Sequence, residues 1–199
     1  MKKITTLFKK NPEDLGRVIN EINPDNLWVL EKGIATRKFD GTSCAIINGN
    51  LFKRYDARIN KKTGKYKKPI PENAIPCQPA DVNSGHHPHW VPCNRENKAD
   101  QYHFQGFDKL NEKTDGTYEL CGEKVQSNPE NIIEHELIKH GSVSFKLDDL
   151  SFDGIKTFLS ENDIEGIVFK HPEKELMCKI RQSDFGLKRI KNEEEILNY

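Results

Sequence analysis

The sequence predicts an α+β fold in which antiparallel sheets are flanked by helices. Three observations lead to it. Asn48-Gly49 separates two apolar and β-branched runs, residues 42–47 and 51–55, and this residue pair favours a tight type I′ hairpin turn. Residues 166–170 and 176–180 form a second pair of runs around His171-Pro172. Helix-start signals stand outside both hairpins, at Asn11-Pro12, Asn128-Pro129 and Ser151.

The elements follow in order. Asn11 can cap a helix, Pro12 suits its first position, and Glu13 and Asp14 favour its positive end. Leu15, Val18, Ile19 and Ile22 recur at helical spacing, so residues 11–22 are expected to be helical until Asn23-Pro24. After the first hairpin, residues 60–68 carry five lysines around Tyr66, with Gly64 among them. They read equally as a solvated loop and as a patch that tracks phosphates. Residues 69–94 hold six of the ten prolines, with His86, His87, His89 and Trp90. Prolines exclude a central strand, so a long ordered loop or insertion is expected. Residues 117–121 read as a strand, and Asn128-Pro129 as the start of a helix that Gly141 ends. Ser151 caps another helix through Phe152, Ile155 and Leu159. From Lys188, with Ile190, Ile196 and Leu197, a peripheral helix is expected.

Composition narrows the function. The 199 residues suit one sizeable domain, read here as 1–199 with the 69–94 insertion. Lys plus Arg and Asp plus Glu are each 31, so no global positive field draws nucleic acid; any such contact needs a local basic patch. No apolar run suits a signal peptide or a membrane span. Five scattered cysteines without a CxxC favour a reducing, intracellular compartment. Cys77, Cys93, His86, His87 and His89 lack the tight spacing of a zinc site. Loop packing or an RNA-contacting surface, with Trp90 stacking on a base, fits them better.

Four motifs carry chemistry. The first is Lys38-Phe39-Asp40-Gly41 at the entrance to the first hairpin. A lysine amine can form a covalent intermediate, but only about one free amine in a few thousand is neutral at pH 7, and half neutrality costs about 4.6 kcal/mol. Neighbouring cations, burial or a metal can supply that. Glycine would let a bulky ligand reach the backbone. Taken alone, the four residues read more readily as a surface lysine before a turn than as a nucleophile. The second motif is Glu119-Leu120-Cys121-Gly122, continuing to Gln126. A carboxylate on a half-buried strand needs a ribose hydroxyl, a cation or a metal; otherwise it faces solvent. The third is Glu165-Gly166-Ile167-Val168-Phe169-Lys170, where an acid beside glycine suits Mg²⁺. Gly166, Val168 and Lys170 share one face. The fourth is Lys179-Ile180-Arg181, whose two cations share a face and either hold a phosphate or blunt an exposed edge.

Together and in this order, the motifs resemble the covalent nucleotidyltransferase superfamily of ATP-dependent DNA and RNA ligases and mRNA capping enzymes. Residues 119–126 resemble the third motif of phage-type RNA ligases. Residues 35–42, with Arg54-Tyr55-Asp56-Ala57-Arg58, are more similar to the small self-adenylating 5′-to-3′ RNA ligases of vertebrates and their viral and microbial relatives. The similarity spans nearly the whole chain.

The resemblance implies a ligase-type nucleotidyltransferase domain, with no OB-fold domain in the 18 residues after Arg181. It implies ATP and Mg²⁺ or Mn²⁺ as cofactors. Lys38 attacks the α-phosphorus and becomes lysyl-AMP. Asp40 organises the lysine and the metal's water. Arg54 contacts the ribose or the incoming end, with Arg58 as rival. Glu119 holds a ribose hydroxyl or a metal-bound water, and Glu165 a metal through water. Lys179 and Arg181 grip the α-phosphate, although the family often has lysine at both places. Phe145 and Val168 sandwich the adenine, and Lys170 reaches the phosphates. The partners are RNA ends bearing a 5′-phosphate and a 3′-hydroxyl, with no membrane and a monomeric enzyme. The alternatives are DNA nick sealing and a non-catalytic nucleic-acid-binding module.

Overall fold

The structure is a computed structural model that describes residues 4–189. Its strands are β1 (Thr5–Thr6), β2 (Phe8–Lys10), β3 (Val18–Ile22), β4 (Ile34–Lys38), β5 (Thr42–Ile47), β6 (Asn50–Arg58) and β7 (Ile75–Pro76). They continue with β8 (His86–Pro92), β9 (Gly116–Cys121), β10 (Glu136–Lys139), β11 (Ser144–Phe145), β12 (Gly166–Lys170) and β13 (Met177–Arg181). The α-helices are α1 (Val29–Lys32), α2 (Gln101–Asp108) and α3 (Phe152–Glu161). The fold is α+β, with mainly antiparallel sheets and few helices. Two compact units are distinguished, residues 40–140 and residues 4–39 with 141–189.

The 40–140 unit is built on a six-stranded sheet in the order β10-β9-β5-β6-β8-β7. Its founding turn is the expected one. Asn48 and Gly49 both take positive φ, 50° and 73°, as a type I′ turn requires. The Asp115 carboxylate accepts the N–H of Asn48 at 2.8 Å and of Gly49 at 3.2 Å. One face of this sheet buries Cys44, Ile46, Leu51, Tyr118, Leu120 and Leu137 with Phe107 of α2. Gly106 lets α2 lie close to β10, since a Cβ there would stand 2.9 Å from the Leu137 nitrogen.

The other unit holds a five-stranded sheet, β1-β13-β12-β4-β11, and the two-stranded ribbon β2-β3. β12 and β13 are the second expected hairpin, and β12 also pairs with β4. Helix α3 begins where the sequence places it, with Ser151 Oγ accepting the Gly154 N–H at 3.0 Å. Its Ile155 and Leu159 are wholly buried against Ile167, Phe169, Cys178 and Ile180.

Three expectations are corrected. Residues 11–22 are not a helix: Asp14 Oδ1 accepts the Gly16 N–H at 2.9 Å, this turn interrupts the helical path, and Val18–Ile22 pairs with β2. Residues 128–141 are not a helix either. Gln126, Ser127, Asn128 and Asn131 take positive φ, which ends a helix, and Glu136–Lys139 joins β9. The proline-rich segment contains an inner strand, since β8 lies between β6 and β7. Pro88 lacks a donor, but its carbonyl accepts the Cys77 N–H at 2.9 Å, so it still serves the pairing. Trp90 is buried with Ala45 and Phe52 and is no stacking surface. The loop at 60–68 is exposed as expected. The helix expected from Lys188 lies, from Ile190 onward, outside the described residues.

The corrected N-terminal segment is testable by stability. A helix would bury Leu15, which instead is 72% exposed, whereas Val18 is 8% exposed. Leu15→Ser is expected to leave the urea midpoint within error, and Val18→Ser to cost about 2 kcal/mol. Equal losses for both would restore the helix.

Candidate functional site

Strand register places the first, third and fourth motifs on one sheet. Lys38 lies directly across from Gly166, and Gly166 across from Arg181. Two residues along, Val168 stands between Thr36 and Lys179. Directly paired residues point to the same face, and faces alternate along a strand. Thr36, Lys38, Gly166, Val168, Lys170, Lys179 and Arg181 therefore share one face. The opposite face is the core that α3 covers. Gly166 is the residue this crossing requires, since a Cβ there would stand 2.3 Å from the Ile180 carbonyl oxygen.

Each cation on that face has a distinct environment. Lys38 Nζ donates to the Glu165 carboxylate and, at 3.4 Å, to the Phe39 carbonyl. Arg181 turns to Asp184, which accepts its backbone N–H at 2.9 Å, its Nε–H at 3.3 Å and its Nη2–H at 3.1 Å. Lys10 adds a 2.6 Å bond to the same carboxylate, which is wholly buried. Burial works to raise the Asp184 carboxyl, but the hydrogen bonds from Arg181 and Lys10 win and hold it below the usual range. Lys179 makes no ion pair among the described residues. Burial, then the neighbouring Arg181 and Lys38, push its amine below the ordinary lysine range. Burial does the same to Lys170.

This refines the argument from the Lys-x-Arg pair. The buried Asp184 already compensates Arg181, so the pair does not by itself demand an external phosphate. Lys179 is the cation left to attract one. The pair is not an exposed edge either, because β13 runs between β1 and β12. Phe145 pairs with Ala35, on the core face, and its ring meets Phe158 edge-on at 5.3 Å. It is not on the face that carries Lys38, whereas Val168 is.

The remaining candidates belong to the 40–140 unit. Glu119 on β9 pairs with Ser43 and with Ile138. Its carboxylate accepts from His140 Nε2 at 2.8 Å, and His140 Nδ1 lies 2.9 Å from Thr117 Oγ1. Asp40 donates its backbone N–H to Glu130 at 2.9 Å. Arg54 Nε donates to Asp56 at 2.9 Å, and His86 Nε2 lies 3.1 Å from the same oxygen. Arg58 is exposed and pairs with His86. Register puts Glu119, Ser43, Ala45, Phe52 and Arg54 on one face. Gly41 serves packing: a Cβ would stand 2.2 Å from the Leu120 carbonyl oxygen, so the close neighbour of this glycine is strand β9.

Sequence reasoning missed Asp184, Lys10, Glu130 and His140. Asp184, three residues beyond Arg181, was the detectable one, as a capping acid. His140 precedes a glycine with no periodic signal. Among the described residues, no group of three or more His, Cys, Asp or Glu side chains could hold a metal ion. No helix there is long and apolar enough to cross a membrane. The chain matches no protein-family model and no curated protein.

The Asp184 cluster makes a stability prediction with a definite sign. Its folded carboxyl titrates lower than the unfolded one. Its contribution is therefore present above the ordinary carboxylate range and is lost as pH falls through the folded value. Asp184→Asn is expected to cost about 2 kcal/mol near neutrality, because the partly exposed Arg181 and Lys10 lose the buried carboxylate that accepts from both. Urea titrations of both proteins should converge as pH is lowered; a gap that widens in acid would refute the assignment.

Proposed function

We propose that the chain is an ATP-dependent RNA ligase with a ligase-type nucleotidyltransferase fold. The observation that carries this reading is the single sheet face that presents Lys38, Lys179 and Arg181 around Gly166, with Glu165 on the Lys38 amine. A nucleophile beside a cation without an ion pair suits an attack on a phosphorus whose oxygens need neutralising.

In this reading Lys179 takes the α-phosphate and Arg181, steadied by Asp184, lies next to it. Lys38 Nζ, as the free amine, forms a bond to the α-phosphorus; the bond to pyrophosphate breaks and pyrophosphate leaves. An RNA 5′-phosphate oxygen then attacks the same phosphorus and releases Lys38. Finally a 3′-hydroxyl attacks the activated 5′-phosphate, and AMP departs. Val168 is kept as an adenine contact, Phe145 is not, and Lys170 stays close to the phosphate-binding face. Glu119, whose carboxylate accepts from His140, is the candidate for a ribose hydroxyl. Arg54 and Arg58 remain the candidates for the incoming end. The ordinary donor set of Mg²⁺ is oxygen, and Glu165 with phosphate oxygens and water would suit it; the ion would neutralise phosphate charge, while Asp40 and Glu119 stay candidates on the motifs alone.

Incubation with α-labelled ATP and Mg²⁺ is expected to leave acid-labile label on the wild-type chain and none on Lys38→Ala. An unlabelled wild type would defeat the enzyme reading in favour of a non-catalytic module. The labelled protein should join RNA ends; joining only nicked DNA would favour the DNA ligase alternative.

Phosphate binding should also follow the state of Lys179. Its lowered amine loses charge as pH rises, so ATP affinity is expected to fall at a pH below the ordinary lysine range. Lys179→Arg, which stays charged, should abolish that fall in a binding titration. An unchanged pH profile would place the phosphate elsewhere.

A further inference from the structure

The chain around the tip of β6 carries a feature that the ligase chemistry does not use. Between Ala57 and Pro71 there are six cations, Arg58, Lys61, Lys62, Lys65, Lys67 and Lys68, and no acid. The segment is a built hairpin. Ile59 pairs with Tyr66, Asn60 N–H donates to the Lys65 carbonyl at 2.8 Å, and Lys67 N–H to the Arg58 carbonyl at 2.8 Å. Gly64 takes the positive φ of 68° that closes its turn. All five lysines are exposed.

An aromatic stack stands beside these cations. The Tyr66 ring lies over the His87 ring with centroids 5.8 Å apart and planes 19° apart. Their hydrogen bond, between the Tyr66 hydroxyl and His87 Nδ1, is 2.6 Å. His89 backs His87 at 4.4 Å between centroids. Burial and the neighbouring His89 keep His87 below the ordinary histidine range, so it serves as a flat neutral ring at neutral pH. Tyr66 itself is 39% exposed. Alternation along the hairpin puts Tyr66 on one side, with Lys65 and Lys67 on the other beside Arg58. Asp56 is the nearest acid of β6, and it is engaged by Arg54 and His86.

We propose that this hairpin is a docking surface for single-stranded nucleic acid, in which the lysines follow the phosphates and a base stacks on Tyr66. A lipid surface would require apolar side chains to insert, and residues 60–68 contain none besides Tyr66. An acidic peptide would use the lysines and leave the propped ring without a purpose. Exposed cations next to a supported aromatic are what a sequence-tolerant single-strand site needs. The proposal shares its partner with the ligase reading but requires no chemistry at Lys38.

The test is fluorescence anisotropy with a labelled 12-nucleotide single-stranded RNA across a salt series. The combined Lys65→Gln, Lys67→Gln and Lys68→Gln variant, at exposed positions, is expected to lose at least about tenfold in affinity. The slope of log affinity against log salt should become shallower by about two, for three lost phosphate contacts. Tyr66→Ala should lose about tenfold and Tyr66→Phe should bind as the wild type. Circular dichroism would verify that each variant is folded. The surface is overturned if the lysine variant binds RNA as the wild type does, or if phosphatidylserine vesicles or polyglutamate bind the wild type as tightly as RNA. Labelling of the wild type by ATP is read in parallel. Label with RNA binding that ignores the hairpin rejects the surface alone, and hairpin-dependent binding without label rejects the ligase alone.

Discussion

Positive charge on a half-buried sheet face is costly, and the unit of residues 4–39 and 141–189 is arranged around that cost. Three cations, Lys38, Lys179 and Arg181, lie within two ladder positions of one another. Two are matched from within, Lys38 by Glu165 and Arg181 by the wholly buried Asp184. The third, Lys179, makes no ion pair among the described residues; Glu165 and Asp184 offset its charge in part, and burial with Arg181 and Lys38 outweighs them. This half-buried amine is the group on the face with most to gain from an anion.

The hairpins were legible because turn chemistry is local. Asn48-Gly49 needs no distant partner to favour positive φ, and Ser151 caps α3 with its own hydroxyl. The failures came where a periodic signal was decided by long-range pairing. Leu15, Val18, Ile19 and Ile22 satisfy a helix on paper, but β2 offers the segment a ladder and the Asp14 turn offers its backbone a different path. Asn128-Pro129 likewise opens a run of tight turns that ends in β10. Proline is tolerated in β8 because its missing donor leaves the carbonyl free to accept, and beside the two-residue β7 the Pro88 carbonyl accepts from Cys77.

Much of the candidate site was legible for a related reason. Period-two alternation groups Gly166, Val168 and Lys170 within β12, and Lys179 with Arg181 within β13, and the register of the two strands then puts both groups on one face. That β4 pairs with β12, and so brings Lys38 against Gly166, is a non-local fact beyond any pattern. The same is true of His140 reaching Glu119 across a strand pair, and of Phe145 falling on the core side by its pairing with Ala35. Gly41 shows the limit of motif reasoning. The motif expects a glycine, but the space it spares is taken by Leu120.

The Lys38–Glu165 pair constrains any chemistry at this amine. An ammonium held by a carboxylate is not a nucleophile, so activation requires the pair to part. A polyphosphate drawn in by Lys179 would not achieve this alone. Its negative charge close to Lys38 favours the charged amine and so opposes the loss of the proton. Positive charge has to arrive with the polyphosphate, near enough to engage Glu165 and to offset the phosphate oxygens. Lys179 and Arg181 supply only part of it, because Asp184 already claims Arg181. In the proposed reaction, then, the Lys38–Glu165 pair can part only with positive charge beyond what the protein's own side chains supply.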